Sequence, residues 1–521
     1  MQFTSFTFLL FTAVLLAVYY LIPGRWQWLL LLGASYLFYC WAGTEYLFFI
    51  LFTTVSTYAS VMVMTRNLEK RDAYLAQHKA DMSREEKKAF KAKTKQANRI
   101  WLIACLVLNF GILAVCKGVL IDPFRTMAKG GGLSFLTAAL PLGISFYMFQ
   151  SMGYMVDVYR ETVKAEKNFF KTALFVSFFP QLIQGPISKF NQLAPQLTAP
   201  HAFDGREVTF GLQRMLWGYF KKLVVADRIA VAIGALKGEE YTGVAFLVLT
   251  LFYAIQIYGD FTGGIDVTIG LAQTLGIRLP ENFIRPFFSK NIAEYWRRWH
   301  ITLGVWMKDY IFYPISVSEP MRKLSKASRK RYPNFGKRLP VYVASVCTWL
   351  ATGIWHGFSP NFAVWGLLNC FVIVVSEELA PLYEKFHNRF HLKDRKWYGA
   401  FEMLRMFWLM NLIRACDLFP NVGDYFARLG SLFTTFNFHI LWDGTLMNLG
   451  LTGLDYGIIF FGVALWFCVS LVQEKGPVRE KLQTWPAAAR YGVVFALLVI
   501  VLLMGSYGIG YDASNFIYNQ F

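Results

Sequence analysis

Apolar residues in this chain come in long blocks, not in the alternating or helical stripes of a soluble sheet or surface helix. Leu9 to Ile22, Leu29 to Trp41 and Leu47 to Met64 are the first three blocks. A hydrocarbon layer about 30 Å thick takes about 20 apolar residues as helix. The blocks therefore predict membrane spans at 3–22, 27–43 and 46–65. Further spans are expected near 100–119, 135–157, 209–234, 241–259, 340–357, 360–379, 399–416, 455–473 and 491–509. The first block has no basic leading region and no small-residue cleavage site, and another block follows at once, so it is expected to be a span. Apolar pieces at 169–190 and 261–316 are broken by Pro, Gly and charges and predict half-helices or re-entrant segments. Irregular backbone at membrane depth is tolerated only where protein buries it or it lines a wet cavity. A cavity is thus expected within residues 140–380. The predicted class is an all-α polytopic membrane protein. Residues 1–509 form one membrane domain, 417–454 its largest polar region outside the membrane, and 510–521 a short tail.

Composition sharpens the class. Of 521 residues, 55% are hydrophobic and 16% charged, where a soluble protein carries about 25% charged. Abundant Phe, Trp and Tyr exclude disorder. Seven cysteines, none in a C-x-x-C pair, exclude a disulfide scaffold. The net charge is +19, and segments 66–99, 322–338 and 385–396 carry +6, +8 and +4 of it. Basic segments between apolar spans follow the positive-inside rule. They predict that these three segments face the cytoplasm and the N-terminus lies outside. Lys475, Arg479, Lys481 and Arg490 put the next linker inside and the C-terminus outside. Nucleic-acid binding would account for the basic segments but not for the apolar spans between them.

Charge within a membrane is costly and marks function by default. It gathers in Tyr258–Asp266, Glu294–His300 and Trp306–Tyr310. Gly263-Gly264 is expected to break a helix between Asp260 and Asp266. These two carboxylates either satisfy backbone N–H groups or pair with Arg297 and Arg298, both structural roles, or they line the cavity. Of seven histidines, His78, His387 and His391 fall in basic segments and His201 and His439 in other polar ones. His300 and His356 fall in the third of the chain expected to form the cavity. Each is a satisfied core residue or a general base, a role imidazole fills near neutral pH. From Pro340, His356 lies about 24 Å along a straight helix, in the outer half of the layer. His300 is expected nearer the inner face. The two would approach a through-channel from opposite sides. No H-E-x-x-H and no Cys/His cluster at ligand spacing occurs, so no metal is expected.

At these residues the sequence resembles the membrane-bound O-acyltransferases, in the bacterial branch that includes the alginate O-acetylation and teichoic acid D-alanylation membrane proteins. The resemblance rests on Phe179-Pro-Gln-Leu-Ile-Gln-Gly-Pro186, Tyr258 to Gly270, Pro280-Glu-Asn-Phe283, Glu294 to His300 and Thr352-Gly-Ile-Trp-His-Gly357. It implies His356 as the catalytic histidine and His300 as the second family position. It implies a ring of 11–13 membrane helices and half-helices around a central tunnel, supported by Gln184, Asp260, Asp266, Glu294, Arg297, Arg298 and Trp355. A cytosolic thioester, acetyl-coenzyme A or an acyl carrier protein, would be the donor. A hydroxyl of an extracytoplasmic polysaccharide or envelope polymer would be the acceptor. No tightly bound cofactor is expected.

The tail Asn515-Phe-Ile-Tyr-Asn-Gln-Phe521 is an aromatic interfacial anchor or an acyl relay. It resembles the aromatic C-terminal motif of the small single-span protein that accompanies D-alanyl transfer. On that reading Tyr518 takes the acyl group near His356 and passes it to an extracytoplasmic acyltransferase or esterase-like partner. Acetyl transfer leads, with D-alanyl transfer to a teichoic-acid-like polymer as the alternative. A secondary transporter would show internal repeats, and none is seen.

Overall fold

The computed structural model describes residues 1–116, 141–238 and 240–507. Among these residues the regular structure is helical, with no strand. Six helices are long and apolar enough to cross a membrane: those within Thr44–Gln77, Arg84–Cys116, Val244–Thr274, Pro360–Phe390, Gly453–Glu474 and Ala487–Met504. The chain is an all-α polytopic membrane protein. It divides into two compact units, Phe3–Val208 with Ala272–Pro280, and Thr209–Leu271 with the chain from Glu281 on.

The first unit contains α1 (Phe6–Leu21), α2 (Gly24–Cys40), α3 (Leu47–Gln77), α4 (Arg84–Cys116), α5 (Ile144–Tyr159), α6 (Phe169–Ser177), α7 (Pro180–Gln184) and α8 (Phe190–Thr198). The expected half-helices at 169–190 are α6, α7 and the start of α8. Buried side-chain amides fasten this unit. Gln27 donates to the carbonyls of Tyr19 and His201, at 3.0 and 2.9 Å, and accepts from the His201 N–H at 2.8 Å. His201, expected in a solvated loop, is therefore a tether. The basic stretch 66–99 is mostly helix: α3 runs to Gln77 and α4 starts at Arg84. Arg71 in that stretch is buried and holds Glu161 in a two-pronged ion pair at 2.7 Å.

The second unit contains α9 (Gly205–Tyr219), α10 (Asp227–Leu236), α11 (Val244–Thr274), α12 (Ile292–Arg298), α13 (Ile301–Met307) and α14 (Glu319–Arg329). After them come α15 (Pro333–His356), α16 (Pro360–Phe390), α17 (Lys396–Arg414), α18 (Val422–Ser431), α19 (Gly453–Glu474) and α20 (Ala487–Met504). The expected span 209–234 is two helices, α9 and α10, joined by a π-helical turn at Phe220–Ala226. Longer π-helical stretches are rare and cluster at functional or constrained places.

Gly263-Gly264 does not break a helix. Helix α11 is continuous from Val244 to Thr274. Gly263 serves close approach instead. A Cβ on Gly263 would lie 2.8 Å from the Gly218 carbonyl oxygen, and one on Gly218 would lie 2.6 Å from that of Gly263. The backbones of α9 and α11 touch there.

That approach allows short ionic contacts. Asp260 and Asp266 do not pair with Arg297 or Arg298. Asp266 accepts from Lys221 at 2.5 Å and from Arg214 Nε at 2.9 Å. Asp260 pairs with Lys222, which also reaches Asp227 at 2.6 Å. The two consecutive lysines of the π-helical turn are 4% and 2% exposed. Such charges persist in an apolar interior only when fully paired.

Replacing Gly263 with Val is expected to wedge α9 from α11. Overpacking of this kind costs about 1–3 kcal/mol. Purified Gly263→Val protein should melt at lower temperature than wild type, and an unchanged melting curve would show that the seam yields.

Candidate active site

The chemistry-bearing residues of the second unit meet in an aromatic cluster. His356 is the last residue of α15. The helix ends there because Gly357 takes an extended backbone, and Pro360 starts α16 three residues later. A Cβ on Gly353 would fall 2.2 Å from the Phe362 carbonyl oxygen, and one on Gly366 2.3 Å from that of Trp349. The two helices therefore cross in backbone contact. The crossing sets the half-buried His356 imidazole against the Trp365 ring at 5.0 Å, edge to face, and Phe362 at 6.2 Å, stacked.

His300 is built differently. It stands at the junction of α12 and α13 and is 3% exposed. Its φ is +44°, in the left-handed region that a non-glycine residue occupies only under constraint. The constraint is the preceding loop. Ile301 N–H donates to the Asn282 carbonyl at 3.0 Å, and Ile284 N–H to that of Arg298 at 2.9 Å. The Asn282 side chain completes the hold. Its Oδ1 accepts from the Thr302 N–H at 3.1 Å and the Thr302 hydroxyl at 2.9 Å, and faces His300 Nδ1 at 3.2 Å. An acceptor shared with two certain donors assigns the proton to Nδ1. The other ring nitrogen, Nε2, is left to act as acceptor.

Trp355 joins the two histidines. Its ring lies 4.8 Å from His356 and 6.1 Å from His300. Phe261 of α11 packs on the other flank of His300 at 4.9 Å, and Phe283 stacks on it at 6.3 Å. Helix α11, fastened by its ion pairs, thus also supplies part of the surroundings of His300. A buried cation completes the cluster. The Arg414 guanidinium, at the end of α17, sits 4.7 Å over Trp299 and 5.5 Å over Trp365. Arginine over an indole face is the favoured cation–π geometry. His300 lies between α12 and α13, outside the six membrane-crossing helices. Burial first, and the Arg414 charge second, push its pKa down to about 3. Its imidazole is neutral at any physiological pH.

Not every expected residue joins this cluster. Trp355 does, between the histidines. Glu294 and Arg298 pair along α12 at 2.6 Å and cap the approach to it. Arg297 is exposed on the same helix. Asp260 and Asp266 fasten α11. Gln184 is buried in the first unit at the end of α7. Tyr518 and the rest of the tail lie outside the described residues. Asn282, Trp365 and Arg414 carry no expectation in the sequence reading. Asn282 stands inside the Pro280–Phe283 motif, and Arg414 is a charge within an apolar block, the kind of signal that marked the other candidates.

Two imidazoles of different character therefore meet the one Trp355 ring in an aromatic cluster. His356 is half-buried at a helix end. His300 is buried and fixed in orientation by Asn282.

Residues 160–329 match the model of the membrane-bound O-acyltransferase family. That stretch includes His300 and ends before His356. The chain is 34% identical over 376 residues to a protein of Pseudomonas syringae pv. tomato named "probable alginate O-acetylase", covering 70% of this chain and 64% of the relative. It is 31% identical over 499 residues to the like-named protein of Pseudomonas aeruginosa, covering 92% and 84%. A peptidoglycan O-acetyltransferase of Helicobacter pylori is 31% identical over 341 residues, covering 60% and 61%. The match thus spans a little under two thirds of the Pseudomonas syringae relative.

The depressed His300 pKa has a consequence for stability. Between about 3 and the ordinary 6.5, an unfolded chain takes up a proton that folded His300 refuses. Stability therefore falls as pH drops through 6.5. In detergent, wild type should lose more melting temperature between pH 7.5 and pH 5 than His300→Asn does. Equal pH sensitivity of the two proteins would contradict a neutral buried His300.

Proposed function

This chain belongs to the membrane-bound O-acyltransferase family, and from that premise we propose that it moves an acyl group from a cytosolic thioester to a hydroxyl of an extracytoplasmic glycan or envelope polymer. The observation that carries the reading is the convergence of His356 and His300 on Trp355 within one aromatic pocket. Acetyl is the acyl group this reading favours, because the relatives matched above are named for O-acetyl transfer.

The reaction needs a base. A hydroxyl oxygen, that of Tyr518 where the tail relays the acyl group, attacks the thioester carbonyl while the His356 imidazole takes the hydroxyl proton. The tetrahedral intermediate collapses, the carbon–sulfur bond breaks, and the thiolate recovers the proton from His356. Such base catalysis supplies about 10²–10⁴-fold. Confining both reagents in one dry pocket supplies much of the rest. His300, with its Nδ1 proton engaged by Asn282, presents Nε2 as an acceptor; it positions the acyl donor by accepting a hydrogen bond and neither polarises the carbonyl nor moves a proton.

The donor on this reading is acetyl-coenzyme A or an acyl carrier protein, entering from the cytoplasmic face of the cell membrane. The acceptor enters from the outside, through a tunnel that meets the donor at His356. Both termini lie outside. Tyr518 serves as the acyl relay to an extracytoplasmic transferase or esterase-like partner, and the basic segments orient the chain. No metal takes part.

The test is transfer of radiolabel from acetyl-coenzyme A into envelope glycan by membranes carrying the protein. His356→Ala should lower transfer by at least about 10²-fold with the protein present at normal level; retained transfer removes His356 as base. Label delivered from a carrier-bound alanine and not from acetyl-coenzyme A would replace acetyl by aminoacyl transfer. For the relay, Tyr518→Phe removes the hydroxyl that takes the acyl group and should abolish acceptor acylation; normal acylation by that variant ends the relay reading.

A further inference from the structure

A cavity of about 740 Å³ lies within the second unit, and neither histidine lines it. Its size is that of a small-ligand site, for which about 300–1,000 Å³ is usual. It is elongated. Helix α19 lines it from Phe461 to Gln473, a length of about 18 Å at the helical rise. Phe461, Leu465, Trp466, Leu497 and Ile500 make one flank apolar, while Arg214, Lys221, Arg285 and Arg479 bring positive charge to it. Both α19 and α20 are membrane-crossing helices, and α20 is the least buried of the six. The cavity is therefore walled from surrounding lipid by a helix that itself faces outward.

The charges are not equivalent. Arg214 is committed to Asp266 and Glu281. Lys221 is committed to Asp266 and to the Thr262 hydroxyl at 2.8 Å. Arg479 donates to the Phe210 carbonyl at 2.8 Å and stacks over that ring. Arg285 makes no ion pair among the described residues. It is half-buried, and its φ of +47° holds it in the left-handed region just before Pro286. Glu480 lines the slot as well, so four basic groups face the three carboxylates of Asp266, Glu281 and Glu480, a surplus of one positive charge; a long apolar slot with that surplus calls for an amphipathic anion.

We propose that this cavity binds one anionic phospholipid, with its acyl chain along α19 and α20 and its phosphate on Arg285. A basic pocket between membrane helices is the form such headgroup sites take. A free anion would leave the Phe461–Trp466 and Leu497–Ile500 walls wet. A thioester at this place would not meet the histidines. Tyr258 and Phe283 close the inner wall, and the far side of Phe283 stacks on His300. The same wall gives the lipid a reason to matter. Tyr258 stacks on Trp466 of α19 at 4.5 Å and 9°, so the occupied cavity braces the rings that hold His300. The inference is independent of the acyl-transfer reading.

The full chain, purified in detergent and exposed to mixed micelles of phosphatidylglycerol or phosphatidylcholine, would be weighed by native mass spectrometry. Wild type should retain one phosphatidylglycerol per chain and hold phosphatidylcholine about tenfold more weakly, the difference expected of one charge-assisted contact. Arg285→Gln should erase that preference, and Arg285→Lys should keep most of it. Leu497→Trp fills the slot and should lose both lipids while eluting as a single folded species. Equal retention of the two lipids by wild type overturns the proposal with no variant needed. So does unchanged lipid binding by a folded Leu497→Trp protein. Displacement of the lipid by inorganic phosphate alone would assign a free-anion site, and displacement by coenzyme A would assign the cavity to the donor; either result overturns the lipid.

Discussion

No charge can be left unanswered in an apolar interior, and the second unit is arranged around meeting that demand along α11. Lys221 and Lys222 stand side by side on the π-helical turn, and Asp260 and Asp266 stand on the facing helix. Loss of one partner from a buried pair costs about 3–5 kcal/mol, because the other charge stays behind. The pairs therefore fix how α11 lies against α9 more firmly than apolar packing alone would. The glycine seam makes the pairing possible by letting the backbones touch. Phe261 follows Asp260 directly, so the helix that is pinned by charge also delivers a wall of the His300 pocket.

The pocket itself is held by rings and by one cation. Edge-to-face and stacked aromatic contacts contribute about 0.5–1.5 kcal/mol each beyond their buried area. Trp355, Trp365 and Trp299 supply three such surfaces, and Arg414 lies over two of them. The two histidines are held differently. The loop from Asn282 to Arg298 imposes the His300 backbone and tautomer, while His356 depends on a helix end.

The membrane class and the all-α fold are legible in the sequence, and His356 and His300 stand out there as candidates, since block length, intramembrane charge and motif residues are local signals. Ion-pair partners are not. Asp260 and Asp266 read naturally against Arg297 and Arg298, the nearest dense positive charge in sequence. Their true partners lie about forty to fifty residues earlier, on a helix whose π-helical turn has no sequence signature. Gly263-Gly264 misleads for a related reason. Glycine signals either a break or a close approach, and only the facing helix decides between them. Arg414 was as visible as the other buried charges, and Asp417, its ion-pair partner, lies three residues on; nothing near it in sequence suggests that two indole rings cover it as well.

The α15–α16 crossing has a consequence for how such a protein can change. Main chain meets main chain at Gly353 and Gly366, and His356 follows three residues after the first contact. Side-chain substitutions around the pocket leave that crossing untouched. The shape and polarity of the walls can vary while the imidazole keeps its place. A scaffold of this kind uncouples the lining of a site from the backbone that carries its imidazole, so that the one can drift through substitution while the other is inherited intact.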